Sequence, residues 1–306
     1  GPLTIDASGV ICDGPACPDL TAPKAVIRLV GEADAGAALI PPLLAAFAAS
    51  RGLIYAAPAG PEAAALLTDP ATNKVLAEIS FRPLSPDAAR AELKAGRAEL
   101  MIASATEPDL GAKAVALDAL VAIVAADNPL PGISTIDLAK VLTGEVQNWR
   151  EVGGPDMPLV LHGLAPDSDL QRALSARLGR DPAATVTHAD LRDLAAAVAK
   201  DPWAVALTGR AAVGAARVLP LSDSCGFPLL PSPLAVKAED YPLTLPLYLL
   251  TPRRRLPLMA RELLEFMALP AAQQAIAAGG YIDRSPETQP MTADGLRLIN
   301  AIQGAG

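Results

Sequence analysis

Short apolar segments with strand character alternate along this chain with segments of helical composition, and this alternation restricts its fold more than any other feature. In the first part of the chain, strands are expected at 25–30, 53–57, 75–81, 99–103 and 115–125. Helices are expected between them at 37–49, 61–67 and 86–95. Strand, loop, helix and strand in repetition are typical of α/β sheets with parallel strands. The sequence therefore predicts an α/β fold.

The same pattern resumes after Asn128. Further strands are expected at 159–162, 203–207, 216–220 and 245–250, and further helices at 135–142, 170–178, 189–200, 256–268, 271–278 and 292–302. Residues 1–23 read as an extended lead-in with many turn residues, and the Pro-rich stretch 227–233 is the best candidate for a linker. The 30 prolines argue against a long helical bundle, because proline breaks helix interiors.

Composition excludes several classes of protein. With 51% apolar and 19% charged residues, the 306-residue chain has the composition of a folded protein. The net charge of -8 and the absence of a basic face argue against a nucleic-acid partner. No apolar run reaches the roughly 18 residues of a membrane helix, since Asp118 interrupts the apolar stretch 114–126. We expect no membrane span, and we read 115–125 as a buried strand.

The three cysteines leave two alternatives open. Cys12 and Cys17 frame a short loop with turn residues, and in an oxidising compartment they could bond to each other. Cys225 would then be left over or would pair with one of them. The other alternative is three unrelated thiols in a reducing cytosol. A metal site is not expected, because neither His162 nor His188 lies at ligand spacing from a cysteine. We expect no cofactor.

The stretch 118–154 carries a recognisable series of motifs. An apolar strand runs into Asp127-Asn128-Pro129, a short helix ends at Gly144, and Asn148-Trp149 and Gly153-Gly154 follow. This order resembles the phosphate-binding components of ABC transporters. Two later segments, 239–249 with its Tyr-Pro-Leu and 266–282 with its Gly-Gly-Tyr-Ile, resemble the same family.

The resemblance covers roughly residues 24–285 and implies a two-lobed periplasmic binding protein fold with a ligand cleft between the lobes. The expected first lobe comprises 24–122 plus 246–306, and the expected second lobe 123–245. The lead-in and tail resemble the branch of the family that is fused to a C-terminal OmpA-type domain, so the chain would be a middle segment of a longer protein. The resemblance implies a periplasmic location, phosphate or another small oxyanion as ligand, and an ABC permease or a cell-envelope protein as partner.

In such a fold, helix N-termini and small polar loops point at the ligand, because free amides and the positive helix end suit an oxyanion. The positions that correspond to those loops are the candidate cleft residues. They are Glu32, Ala33, Asp34, Ser85, Ser104, Ala105, Ser168 and Asp169.

Several of these residues depart from the family pattern. Ala105 and Leu164 stand where the family has arginines, and Asp169 stands where it has glycine. Two like charges about 4 Å apart repel by roughly 4 kcal/mol at an effective dielectric near 20, so carboxylates in the cleft would oppose an anion. Each acidic residue also has an interpretation unrelated to ligand binding, as a helix cap or as a solvent-exposed group. Even a capping carboxylate would occupy amides that phosphate needs, so we expect a degraded phosphate site.

Three functions can be weighed from these residues. The first is a solute-binding module for phosphate or another oxyanion, and the second is the same fold serving another ligand or an envelope scaffold. The third is an enzyme, suggested by the closeness of His162, Asp167 and Ser168 or by Glu32 and Asp169 as a glycosidase-like pair. There is no Gly-x-Ser-x-Gly elbow, so we expect a protein without enzymatic activity.

Overall fold

The computed structural model describes residues 4–5, 11–12 and 23–285, and the expected helix at 292–302 lies outside these residues. The strands are β1 (Thr4–Ile5), β2 (Ile11–Cys12), β3 (Ala25–Gly31), β4 (Ile54–Ala56), β5 (Ala65–Thr68), β6 (Val75–Pro83), β7 (Leu100–Ala103), β8 (Gly111–Val124), β9 (Ile133–Ser134), β10 (Val160–Leu164), β11 (Val186–His188), β12 (Ala204–Gly209), β13 (Arg217–Leu219), β14 (Leu221–Ser222), β15 (Pro228–Leu229) and β16 (Thr244–Thr251). The helices are α1 (Ala33–Ser50), α2 (Pro86–Lys94), α3 (Thr135–Leu142), α4 (Asp169–Leu178), α5 (Leu191–Lys200), α6 (Pro233–Lys237), α7 (Leu258–Phe266) and α8 (Pro270–Ala278).

One large sheet runs through the molecule in the order β11-β10-β12-β8-β16-β7-β3-β6-β5-β4, with β13 also paired to β8. Near one end β10 runs parallel to both β11 and β12, and towards the other end β3 runs parallel to both β6 and β7. Antiparallel pairings of β8 with β12 and β16 connect these two parallel groups. The α/β class predicted from the sequence is confirmed.

Strand β8 is the element that joins the two parts of the molecule. Its first ten residues or so pair with β16, and its end pairs with β12 and β13. Apolar cores lie on either side of this junction. The first is built around Phe47 and Leu100, with a smaller cluster around Leu93, and the second around Trp149 and Leu194. We call the parts around these cores the first and the second lobe; the residue boundaries expected from the sequence stay a prediction.

One expected helix is a strand. The sequence predicts a helix at 61–67, but Ala65–Thr68 forms β5, which lies antiparallel between β4 and β6. The physical reason is the burial pattern. Ala65 and Leu67 are fully buried, whereas Leu66 and Thr68 are half-buried, which is the period of two of a strand. The helix prediction is therefore wrong for this segment.

Helix α1 is longer than the sequence indicated. It begins at Ala33 and runs for 18 residues, and within the described part of the chain it is the one helix long and apolar enough to cross a membrane by length and composition. The expectation that no such run exists is wrong to that extent. The helix packs against α8, and Leu39, Leu43 and Phe47 on its inner face are buried. In this structure α1 is therefore a helix of the first core.

Trp149 is one of the buried residues of the second core. It begins a short 3₁₀ turn, Trp149–Val152, and only 1% of its surface is exposed. The turn is held by a capping box, in which Asn148 and Glu151 satisfy each other's amides. The indole Nε1 donates a hydrogen bond to the Trp203 carbonyl at 2.9 Å. The side chain therefore contributes both volume and a satisfied polar contact.

The cysteines are only partly described. Cys225 has a free and exposed thiol. Cys17 lies outside the described residues, and only the backbone placement of Cys12 in β2 is described. A bond between Cys12 and Cys17 therefore stays a prediction.

Candidate functional site

A small cavity lies where the two lobes meet. Its volume is about 20 Å³, which is room for about one water molecule. Its polar lining is Glu32, Ser104, Asp118 and Tyr281, and its apolar lining includes Leu170, Leu191, Leu245 and Leu247. Glu32 and Ser104 come from the first lobe, Leu170 and Leu191 from helices of the second, and the rest largely from the connecting strands. The cavity is thus the closed interior of the cleft between the lobes.

Glu32 reaches this cavity because of the residue before it. Gly31 ends β3 with a φ of 131°, and a Cβ on it would lie 2.1 Å from the Ile102 carbonyl oxygen. Only glycine allows the ends of β3 and β7 to approach this closely. The next amide, that of Glu32, then donates to the same carbonyl at 3.2 Å. This contact fixes Glu32 at the N-cap position of α1.

The Glu32 carboxyl is held in a setting that disfavours its charge. Burial raises its pKa to about 8, and the neighbouring carboxyls of Asp169, Asp34 and Asp118 act in the same direction. The Ala35 amide opposes this shift, although Glu32 makes no regular capping hydrogen bond. At neutral pH the Glu32 carboxyl is therefore mostly protonated.

Asp169 comes to the cleft from the second lobe as the first residue of α4. The preceding Ser168 caps this helix by accepting a hydrogen bond from the Gln171 amide at 3.3 Å. Asp169 is only 8% exposed, and its Oδ2 atom makes no hydrogen bond. Burial raises its pKa to about 7, against the opposing effects of Arg172 and of the Ser104 amide. Asp169 therefore faces an amide of the first lobe across the cleft.

Asp118 is the third carboxyl near the cavity, and it is 7% exposed. It lies on β8, where burial raises its pKa to about 6, and the amides of Ala119, Arg210 and Ala211 oppose that shift. The Ala119 amide donates to Oδ1 at 2.8 Å. A Cβ on Gly209 would lie 2.6 Å from Oδ2, so this glycine makes space for the carboxyl. Asp118 thus accepts hydrogen bonds from the amides that begin the 3₁₀ turn after β12.

The remaining acid and serine candidates differ in how close they lie to the cavity. Asp34 is half-buried on α1, and burial and Asp190 raise its pKa while Arg192 opposes them. Ser104 lines the cavity directly. Ser85 is the N-cap residue of α2, makes no side-chain capping bond and is not among the lining residues.

The two alanine candidates are exposed. Ala33 begins α1 and Ala105 follows β7, and neither lines the cavity. The structure therefore places Glu32 and Ser104 at the cavity and Asp169 beside the Ser104 amide. Ala33, Ser85, Ala105 and Asp169 itself are not among the residues that line the cavity.

An ion pair that the sequence did not predict connects helices α2 and α4. Arg172 on α4 makes two parallel contacts with Asp87 on α2, Nη1 to Oδ1 at 3.0 Å and Nη2 to Oδ2 at 2.5 Å. The guanidinium lowers the pKa of Asp87. Bidentate pairs of this kind add geometric specificity. The pair links a helix of each lobe and commits Arg172 to a partner outside the cavity.

The residues that suggested a catalytic triad, His162, Asp167 and Ser168, have separate surroundings. His162 Nδ1 lies 2.8 Å from His188 Nε2 with the rings stacked, and burial followed by the nearby His188 lowers the pKa of His162. Ser168 caps α4, and Asp167 is exposed. Within the ranges described above, no group of three or more His, Cys, Asp or Glu side chains could hold a metal ion.

Two cores joined by a shared sheet, with helix N-termini meeting in a cleft between them, define a two-lobed α/β binding protein. The chain belongs to the PBP superfamily, because the sequence profile of the PBP superfamily domain matches residues 65–270, more than half of its length. The superfamily assignment agrees with the class that the fold defines.

Individual relatives point the same way. A stretch of 93 residues is 33% identical to the phosphate-binding protein PstS of Bacillus subtilis and covers 28% of this chain and 31% of that protein. A Clostridium perfringens phosphate ABC transporter substrate-binding protein, solved with bound phosphate, has a TM-score of 0.68, 16% identity and coverage of 84% of this chain and 99% of that chain. An ABC-type phosphate transport receptor from Vibrio cholerae has a TM-score of 0.64 at 16% identity, with coverage of 85% and 100%.

These likenesses carry different weight. The sequence match spans about a third of the length of the Bacillus subtilis protein. The two solved structures, at 16% identity, show a shared fold. What the cleft of this chain binds has to be argued from its own residues.

Proposed function

We propose that this chain is a periplasmic solute-binding protein whose cleft has lost the phosphate ligand and takes another small solute. The observation that carries the proposal is the position of Glu32, Asp118 and Asp169. Glu32 lies beside the Ala35 amide at the start of α1, and Asp118 lies beside the amides that begin the turn after β12. Asp169 faces the Ser104 amide across the cleft. Such amides are the groups that would bind an oxyanion.

Electrostatics supports the loss of phosphate. An incoming phosphate would have to displace these carboxyls from the amides. It would also remain close to the charge of Asp118, whose pKa of about 6 leaves it largely ionised at pH 7.5. The nearest cations do not compensate, since Arg172 binds Asp87 and Arg210 Nε donates to the Pro231 carbonyl at 2.7 Å. Ala105 and Leu164 provide no guanidinium where the resembling family has one. The cleft therefore lacks the charge complementarity that a phosphate site needs.

The cellular setting belongs to the same proposal. The resemblance to phosphate-binding components supports a periplasmic location and a partner that is an ABC permease or another envelope protein. Fusion to a C-terminal OmpA-type domain would place the binding domain near peptidoglycan. A pure scaffold role is the alternative, and the lined cavity between the lobes favours solute binding over it.

Phosphate titration tests the proposal. In isothermal titration calorimetry at pH 7.5, we expect no phosphate binding tighter than about 1 mM, because the amides are already occupied. The matched variant carries Ala105→Arg and Asp169→Gly, which add a guanidinium and free the Ser104 amide. We expect it to bind phosphate at least tenfold more tightly than the natural sequence does. Micromolar phosphate binding by the natural sequence would contradict the proposal.

A further inference from the structure

We infer that the segment 286–306 of this chain docks on an exposed apolar surface of the second lobe, formed by Phe227, Leu230 and Leu234. We call these three side chains the apolar patch. The inference is independent of the proposed function, since none of the three residues lines the cavity of the cleft. It follows from the exposure of the patch, from the place where the described chain ends, and from the sequence of the segment.

The apolar patch concentrates exposed hydrophobic surface in a short stretch. Nine large apolar side chains are exposed in the described part of the chain, and three of them lie within 227–234. Phe227 is 68% exposed, Leu230 55% and Leu234 39%. Single exposed apolar residues are common on protein surfaces, whereas a cluster of them marks a contact site. The apolar patch therefore calls for a partner.

Hydrogen bonds and core packing fix the backbone under the apolar patch. The Phe227 amide donates to Asp223 Oδ1 at 3.0 Å, and Ser232 caps α6 by accepting a hydrogen bond from the Ala235 amide at 3.1 Å. Val236 of the same helix is fully buried in the second core. The three exposed side chains thus stand on a preformed surface, and a preformed surface loses little conformational entropy when it binds.

The described chain ends beside α6. Lys237 donates from Nζ to the Ser285 carbonyl at 2.9 Å and to Asp283 Oδ1 at 3.3 Å. Lys237 follows Leu234 by three residues, and residues three apart on a helix are neighbours, with about 5–6 Å between their Cβ atoms. The residues after Ser285 therefore start next to the apolar patch. They are outside the described part of the chain.

The sequence of the segment suits an apolar surface. The helix expected at 292–302 would place Leu298, Ile299 and Ile302 within about 100° of arc around its axis. Arg297 and Asn300 would lie on the opposite side. Isolated helices shorter than about 12–15 residues are marginal in water, so a helix of this length needs an apolar partner.

The length of the connection favours the apolar patch as that partner. The residues between Ser285 and Thr292 span at most about 25 Å when fully extended. Such a short connection keeps the expected helix at a high effective concentration near the patch. Docking within one chain is therefore favoured over docking of a second copy.

Hydrogen–deuterium exchange of the natural sequence, followed by mass spectrometry, tests the inference. We expect the amides of 294–302 to exchange at least tenfold more slowly than in a synthetic peptide of residues 286–306. Ile299→Asp in the segment and Leu234→Asp in the patch should each abolish this protection. Asn300→Asp is the matched control in the segment. Leu258→Asp is the matched control for the patch, because Leu258 is 61% exposed and lies on α7.

The Cys225 thiol provides a second readout. It is exposed and lies two residues before Phe227, so a docked segment should shield it in part. We expect Ile299→Asp to speed its reaction with a maleimide at least threefold, measured on the peptide that contains Cys225. Asn300→Asp should leave the rate unchanged.

Three outcomes would overturn the inference. The first is free-peptide exchange at 294–302 in the natural sequence. The second is protection that persists in both Ile299→Asp and Leu234→Asp, since the segment would then bind elsewhere. The third is protection found only in dimers by sedimentation velocity at two concentrations, because the occupant would then come from a second copy. Circular dichroism melts of each variant show that a loss of protection is not a loss of folding.

Discussion

Glu32→Gln is expected to raise the free energy of unfolding at pH 9 by about 2–4 kcal/mol and to leave it nearly unchanged at pH 5. The pKa of Glu32 is raised from its ordinary value of 4.5 to about 8 in the folded protein. Between these values the folded state binds more protons than the unfolded state. The natural protein therefore loses stability as pH rises through this window, and the amide of the variant, which does not ionise, avoids that loss.

Urea unfolding at pH 5 and pH 9 measures this difference. Asp169→Asn should act in the same direction over a lower window, from about pH 4 to pH 7, since burial raises that pKa to about 7. Glu62→Gln is a control, because Glu62 is exposed and outside the cleft. A stabilisation by Glu32→Gln that is equal at both pH values would show that ionisation of Glu32 is not its source.

Trp149→Ala is expected to lower the free energy of unfolding by about 3–5 kcal/mol. The indole is 1% exposed in the second core, so its removal leaves a cavity that rigid neighbours cannot fill. The change also leaves the Trp203 carbonyl without the 2.9 Å hydrogen bond from Nε1. Both effects have the same sign.

Chemical unfolding followed by far-UV circular dichroism quantifies the loss. Trp149→Phe keeps most of the apolar volume but not the Nε1 donor, so it should cost clearly less than Trp149→Ala. A loss below about 1 kcal/mol for the alanine variant would mean that Trp149 does not hold the second core together.

Much of the fold could be predicted from local signals in the sequence. The alternation of strands and helices predicts the α/β class, and the family resemblance carried in part by the motifs of 118–154 implies the two-lobed arrangement. Strand β5 is an exception, because amino-acid composition alone did not predict its secondary structure. Ala65–Thr68 is rich in alanine and leucine, and its strand state depends on pairing with β4 and β6, which sequence composition does not report.

The site was predictable only where it follows the chain locally. Glu32, Ser104 and Asp169 correspond to the ligand loops of the resembling family, so the resemblance implied their place at the cleft. Asp118 was visible only as a lone acid inside an apolar strand, a signal that fits its buried position at the cavity. Tyr281 and the pair of Arg172 with Asp87 depend on contacts between distant segments, which local patterns do not encode.

The central claim is that the protein's own protonated carboxyls occupy the cleft where an oxyanion would bind. Carbon-13 NMR of protein labelled at the glutamate side-chain carboxyls, titrated from pH 3 to pH 10, tests it most directly. The account predicts that one glutamate resonance titrates near pH 8 and is missing from Glu32→Gln. Titration of every glutamate carboxyl below about pH 6 would contradict it.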